Sequence, residues 1–219
     1  MPSQSDGVIQ VEQVQVNGKT WEVHAVGGTP AQAVLHATLE ILPHRPDLVV
    51  SGINYGENVG TGVTISGTVG AALEAASHGI PALAISLETK VDHHHSYSET
   101  EDFSTAAHFA AYFARVVLER RLPPDVSVLK IEVPSNATPE TPWEVTRLST
   151  NRYFFPLTPQ RRSWDEPGKV GYEAVNDFHD EPAGTDVYAL RVQRIVAVTP
   201  LSLDMTSRVN LRELKDYLK

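Results

Sequence analysis

Between Ser51 and Gly70 the chain sets Asn54 and Asn58 among glycines at positions 52, 56, 60 and 62, and follows them with Ser66-Gly67-Thr68. Asparagine side-chain oxygens are neutral hard donors, suited to Mg²⁺, Mn²⁺ or Ca²⁺ and not to a soft metal. The glycines free the backbone to take φ > 0 and to approach a ligand closely, so that successive N–H groups can form a concavity for an anion. If Ser66-Gly67-Thr68 opens a helix, the unused N–H groups and the positive end of its dipole favour a phosphate, and the Ser66 and Thr68 hydroxyls add directional contacts. The chemistry these residue types suit is capture of a phosphoryl group beside a hard cation. A Gly/Asn-rich turn between a strand and a helix also occurs where nothing binds, so residue types alone leave both readings open.

The surrounding elements must position this stretch. Residues 8–16 alternate in hydrophobicity, meet a turn signal at Asn17-Gly18, and resume an extended pattern from Trp21 to Val26, which reads as a β-hairpin. Thr29 and Pro30 are an N-cap and a first helical residue for a helix over 31–41, which Pro43 and Pro46 end. Leu48-Val-Val50 is a short apolar run of the kind that parallel sheets bury on both faces. A small-residue helix from Gly67 to His78, capped by Gly79, leads to a buried strand over 82–87. Residues 88–100 read as a surface loop and 103–121 as a helix with Phe109, Phe113, Val116 and Val117 inward. Strands are expected over 126–133, 143–148, 195–198 and 201–203, with a last helix over 212–218. Alternating strands and helices imply a three-layer, doubly wound α/β sheet, Rossmann-like and mostly parallel, whose ligands bind beyond the C-terminal strand ends.

Composition narrows the partners. The chain has 219 residues and a net charge of −9, which excludes a phosphate-polymer binder because such a protein needs a basic footprint. It has no cysteine, no leader-like start and no apolar run of membrane-spanning length, so a cytoplasmic protein without a membrane partner is expected.

Pro46-Asp-Leu-Val-Val-Ser-Gly-Ile-Asn54, the spaced Gly56, Asn58 and Gly60, and Ser66-Gly-Thr-Val69 resemble, in order and spacing, the motif of the SurE (survival protein E) family. Gly28-Thr-Pro-Ala31, Gly79 to Leu87, Gly184-Thr-Asp186 and Thr199 to Thr206 extend the resemblance over nearly the whole chain. It implies a single SurE-like domain, with a core of about 1–150 and 187–219 and a β-hairpin arm over about 150–186 that serves contacts in a homodimer or tetramer. It also implies a 5′-nucleotidase, a phosphomonoester hydrolase acting on nucleoside monophosphates with Mg²⁺ or Mn²⁺. Asn54 matches a metal ligand, and Asn58, Ser66, Gly67 and Thr68 match the phosphate pocket. Gly52 is placed with them, and Asn54, Ser66 and Thr68 are taken as the catalytic set.

The same comparison of motifs leads to the expectation that an Asn-Asp-Asp-Gly segment carrying the family's other metal ligands is lacking, Ser5-Asp6-Gly7 being a poor substitute. The cation would then be weakly held or absent, and an inactive nucleotide- or phosphate-binding fragment, or a partner subunit, is the alternative. Lys130 and Glu132 stand where the family carries asparagines and are expected to matter little for chemistry. His93-His94-His95 is expected to be a solvated loop, His36, His78 and His108 ordinary packing or surface residues, and Asp186 and Asp204 capping groups.

Overall fold

Asn17 and Gly18 both take positive φ, 50° and 75°, as a two-residue hairpin turn matched to strand twist requires. They join β1 (Ile9–Val16) to β2 (Lys19–Val26) in the expected antiparallel hairpin. The computed structural model describes residues 7–94 and 100–219; Ser5, Asp6 and His95 lie outside the described residues. Thr29 caps α1 (Pro30–His36), its hydroxyl accepting from the Gln32 N–H while the Gln32 side chain accepts from the Thr29 N–H. That reciprocal pair fixes where the helix starts. The helix is shorter than expected because the chain widens into a π-type turn over Ala37–Ile41 before Pro43.

The main sheet comprises β3 (Val49–Tyr55), β4 (Ala82–Leu87), β5 (Val128–Val133), β6 (Trp143–Val145) and β9 (Val196–Leu201), in the order β3-β4-β5-β9-β6. Neighbours are parallel except β5 and β9. α2 (Gly67–Ser77) connects β3 to β4, and α3 (Ser104–Glu119) lies between β4 and β5. Every residue of β4 is buried, and its alternation is by size instead of polarity. Leu83, Ile85 and Leu87 meet Phe109, Phe113 and Val117 of α3 on one face. Ala82 and Ala84 meet Val69, Ala72, Ala75 and Ala76 of α2 on the other, so α2 sits close to the sheet. These are the three layers expected of a doubly wound α/β fold.

Several expectations need correction. The strand expected over 48–50 runs on through Ser51, Gly52 and Asn54 to Tyr55, and it is not buried on both faces. It ends the strand order, and Val50 is 46% exposed. The two strands expected near the C-terminus are one strand, β9; Pro200 is tolerated there because β6 flanks β9 only as far as Val198. β6 stops at Val145 because Arg147 turns away to pair with Thr185. The arm is a hairpin of β7 (Phe154–Leu157) and β8 (Gly171–Ala174), with Trp164 at 93% exposure beyond it. A final helix, α4 (Leu211–Tyr217), is capped by Asn210. Among the described residues no helix is long and apolar enough to cross a membrane.

Candidate functional site

The end of β3 and the start of α2 meet at one hydrogen bond. The Thr68 hydroxyl donates to Asn54 Oδ1 at 3.2 Å, while Asn54 Nδ2 donates to the Tyr55 and Gly56 carbonyls at 3.1 and 2.8 Å. Those two donor contacts fix which way the amide oxygen points. Ser66 is the N-cap of α2, with Oγ accepting from the Val69 N–H at 3.1 Å. The N–H groups of Gly67 and Thr68 belong to the first turn, which the helix itself leaves without acceptors. Gly67 is exposed and Thr68 half-buried, so this turn faces out of the core. Asn58 Nδ2 donates to Ser86 Oγ at 2.9 Å, and Ser86 stands opposite Asn54 in the β3–β4 register. The structure thus brings Asn54, Asn58, Ser66, Gly67 and Thr68 to the C-terminal ends of β3 and β4.

Gly52 has a packing reason for being glycine: its φ is 113°, and a Cβ there would come within 2.3 Å of the Ile85 carbonyl oxygen on β4. Asn54 lies on the strand and not in a loop. Gly62 sits in a 3₁₀ turn over Gly60–Ile65 without the positive φ expected of it.

Sequence reasoning gave the groups behind this turn too small a role. Lys130, Glu132 and Asp186 are fully buried. Lys130 Nζ is 3.3 Å from Glu132 Oε1 and 3.0 Å from Asp186 Oδ2. Glu132 Oε2 accepts from the Asn58 N–H at 2.9 Å, and Asp186 accepts from the N–H groups of Gly60, Ser149 and Val187 at 2.9, 2.8 and 2.9 Å. The capping expected of Asp186 is part of this wider role. One ammonium between two carboxylates leaves a negative charge over in a dry interior. Burial pushes the Glu132 carboxyl up to about 7, against the opposing pull of Lys130 and the Asn58 N–H and with the help of Asp186. Burial alone would lower Lys130, but the two carboxylates raise it instead. The available signal was two charges spaced i, i+2 on one face of an otherwise apolar strand, which must be paired if buried.

The root of the arm closes over the same turn. His94 is half-buried against Gly56, where φ is 91° and a Cβ would come 2.3 Å from the imidazole, and its Nδ1 lies 3.0 Å from the Tyr172 hydroxyl on β8. His93 contacts Glu101. Neither is the solvated loop residue expected. His36 and His78 pair one turn away with Glu40 and Glu74, as ordinary helix-surface residues do. Tyr153 donates its O–H to buried Glu57 at 2.5 Å, and Arg191 links Glu57 to Glu88 at 3.7 and 2.8 Å. Cavities of about 140 Å³ at the arm root and about 290 Å³ beside Tyr112 and Trp143 are not lined by Asn54, Ser66 or Thr68. The polar geometry, and not cavity size, marks the site.

Glu88 gives this region an acid limit. Burial disfavours its charge, but hydrogen bonds from Arg194 and the Ser135 N–H, with the charges of Arg194 and Arg191, outweigh that and hold its carboxyl below the ordinary 4.5. A depressed carboxylate stabilises the fold above its unfolded pKa, and that stability is lost as pH falls through the folded value. Urea midpoints should therefore drop as pH falls below about 4.5, and Glu88→Gln should flatten the drop. An unchanged acid limb in that variant would take Glu88 out of it.

The sequence profile described as Survival protein SurE matches residues 3–154. The 5′-nucleotidase SurE of Thermococcus kodakarensis is 46% identical over 198 residues, covering 89% of this chain and 74% of that relative. Its counterpart in Methanosarcina mazei is 41% identical over 202 residues, with the same two coverages, 89% and 74%. The crystal structure of the SurE protein from Aquifex aeolicus superposes with a TM-score of 0.71 at 28% identity, covering 96% of this chain and 80% of that one. With the profile spanning the sheet's first strands and the turn between β3 and α2, and relatives matching along most of its length, this chain belongs to the survival protein SurE family.

Proposed function

We propose that the chain is a 5′-nucleotidase that hydrolyses nucleoside monophosphates where β3 meets α2. The observation that carries this is the Thr68–Asn54 hydrogen bond at a serine-capped helix start, in a chain whose relatives bear the name 5′-nucleotidase SurE. The Gly67 and Thr68 N–H groups and the α2 dipole would hold phosphoryl oxygens, and Ser66, whose oxygen already accepts from Val69, still has its O–H to donate. Asn58 and the turn that follows Tyr55 complete the cradle, with Gly52 letting β3 lie close against β4 beneath it. In the reaction, water oxygen bonds to phosphorus, the ester P–O bond breaks, and the nucleoside oxygen leaves with a proton. Donors already aimed at the phosphoryl oxygens stabilise the charge spread over them.

The proposal includes dependence on a divalent cation, Mg²⁺ or Mn²⁺. The described residues offer that ion Asn54 Oδ1 and nearby hydroxyls, and among them no group of three His, Cys, Asp or Glu is placed to hold one. Hard cations take about six oxygens, carboxylates included. This donor set does not fit the ion by itself; further ligands would have to come from outside the described residues. Association into a homodimer or tetramer is part of the same reading, supported by exposed apolar side chains on the arm and α4, among them Leu157, Trp164, Leu211 and Leu218. A cytoplasmic location is in keeping with the absence of cysteine.

Phosphate release from nucleoside monophosphates, assayed with Mg²⁺ or Mn²⁺ present, tests the reading. Thr68→Val keeps the side-chain shape and removes the donor to Asn54, so kcat/KM should fall about tenfold, the worth of one hydrogen bond. Saturable phosphate binding without any turnover would instead favour the inactive binding protein.

A further inference from the structure

We propose that Glu132 is a positioning residue for the phosphate-binding turn, holding the Asn58 N–H from behind while Lys130 anchors its other carboxylate oxygen. This rests on the site described under Proposed function and adds a residue that touches neither substrate nor the reacting atoms.

The charge trio is a poor way to build a core. Removing an ion from water costs several kcal/mol, and well-packed apolar residues of similar volume often serve stability as well or better. What the trio does that apolar residues could not is reach the turn. Glu132 takes the N–H of Asn58 and Asp186 takes that of Gly60, two residues further on. Lys130, 3.3 Å from one carboxylate and 3.0 Å from the other, sets the distance between these two grips. Asn58 in turn fixes Ser86 through its side chain, beside Asn54. The register partners of Glu132 on β4 and β9 are Ser86 and Ala197, which carry no charge. The turn is therefore shaped from within the core.

Two variants of the full chain separate positioning from mere support. Glu132→Gln and Glu132→Met both discard the charge and nearly keep the volume, but only glutamine retains an oxygen for the Asn58 N–H. Sulfate is the probe, because it stays dianionic near neutral pH, and its dissociation constant is read by calorimetry. Glu132→Gln should bind sulfate within about twofold of the parent, and Glu132→Met about tenfold more weakly. For a nucleoside monophosphate, KM should rise by a similar factor in Glu132→Met while kcat stays within about threefold. Thermal unfolding checks that both variants fold. Lys130 keeps Asp186 at 3.0 Å in both variants, and if the methionine variant is unstable, Glu132→Leu, which also lacks an acceptor for the Asn58 N–H, takes its place and should weaken sulfate binding likewise. Equal sulfate affinity in the glutamine and methionine variants would overturn the proposal. A parent chain that binds neither sulfate nor phosphate would instead remove the anion cradle itself.

Discussion

Lys130→Met should lower the free energy of unfolding by about 3–5 kcal/mol, the usual effect of stranding a buried charge. Methionine fills nearly the same space, so packing is little changed and the loss is electrostatic. Glu132 and Asp186 would face one another with no cation between them, both fully buried. Protonation relieves that repulsion, so the destabilisation should shrink on acidification and be largest above the pH, about 7, to which Glu132 is already pushed. Urea unfolding at matched m-values measures it. A loss below about 1 kcal/mol at pH 8 would mean that water or a rearranged partner reaches the carboxylates, since an unpaired buried charge costs several times that.

Asn54→Ala should reduce kcat/KM for nucleoside monophosphates by about a hundredfold, more than Thr68→Val, because it removes three hydrogen bonds and not one. The acceptor for the Thr68 hydroxyl goes, and so do the donors that tie down the Tyr55 and Gly56 carbonyls. Misplacing a catalytic turn by about 1 Å is enough for a loss of that size. The assay is initial-rate phosphate release, with circular dichroism to verify the fold. Turnover within threefold of the parent would show that Asn54 only fills space at the strand end.

The sequence was most legible where local rules act alone. The Asn17-Gly18 hairpin, the Thr29 cap and the α2 start at Ser66 each depend on residues within four positions of one another. The turn that gathers Asn54, Ser66 and Thr68 was legible for another reason: Asn54 and Thr68 are 14 positions apart, and the spaced motif, not a local rule, pointed to them. The extent of β3 was not legible, because a strand that passes through Gly52 looks like a loop until the neighbouring Ile85 carbonyl is in place. Nor was the link from Lys130 to Asp186, 56 residues apart, with no spacing rule to suggest it. His94 was misread for a similar reason: its partner Tyr172 lies 78 residues away on the arm. Long-range pairs between polar groups leave no periodic trace, whereas apolar stripes do.

The alanines on one side of β4 act as a thin shim under α2. Ala82 and Ala84 set how far the helix axis stands from the sheet, and with it the gap between Thr68 and the end of β3. Side-chain volume in the floor of the molecule is thus a dial for the width of its mouth. A larger residue at position 84 would lift the first helical turn and open that gap without altering any group proposed to hold the phosphate.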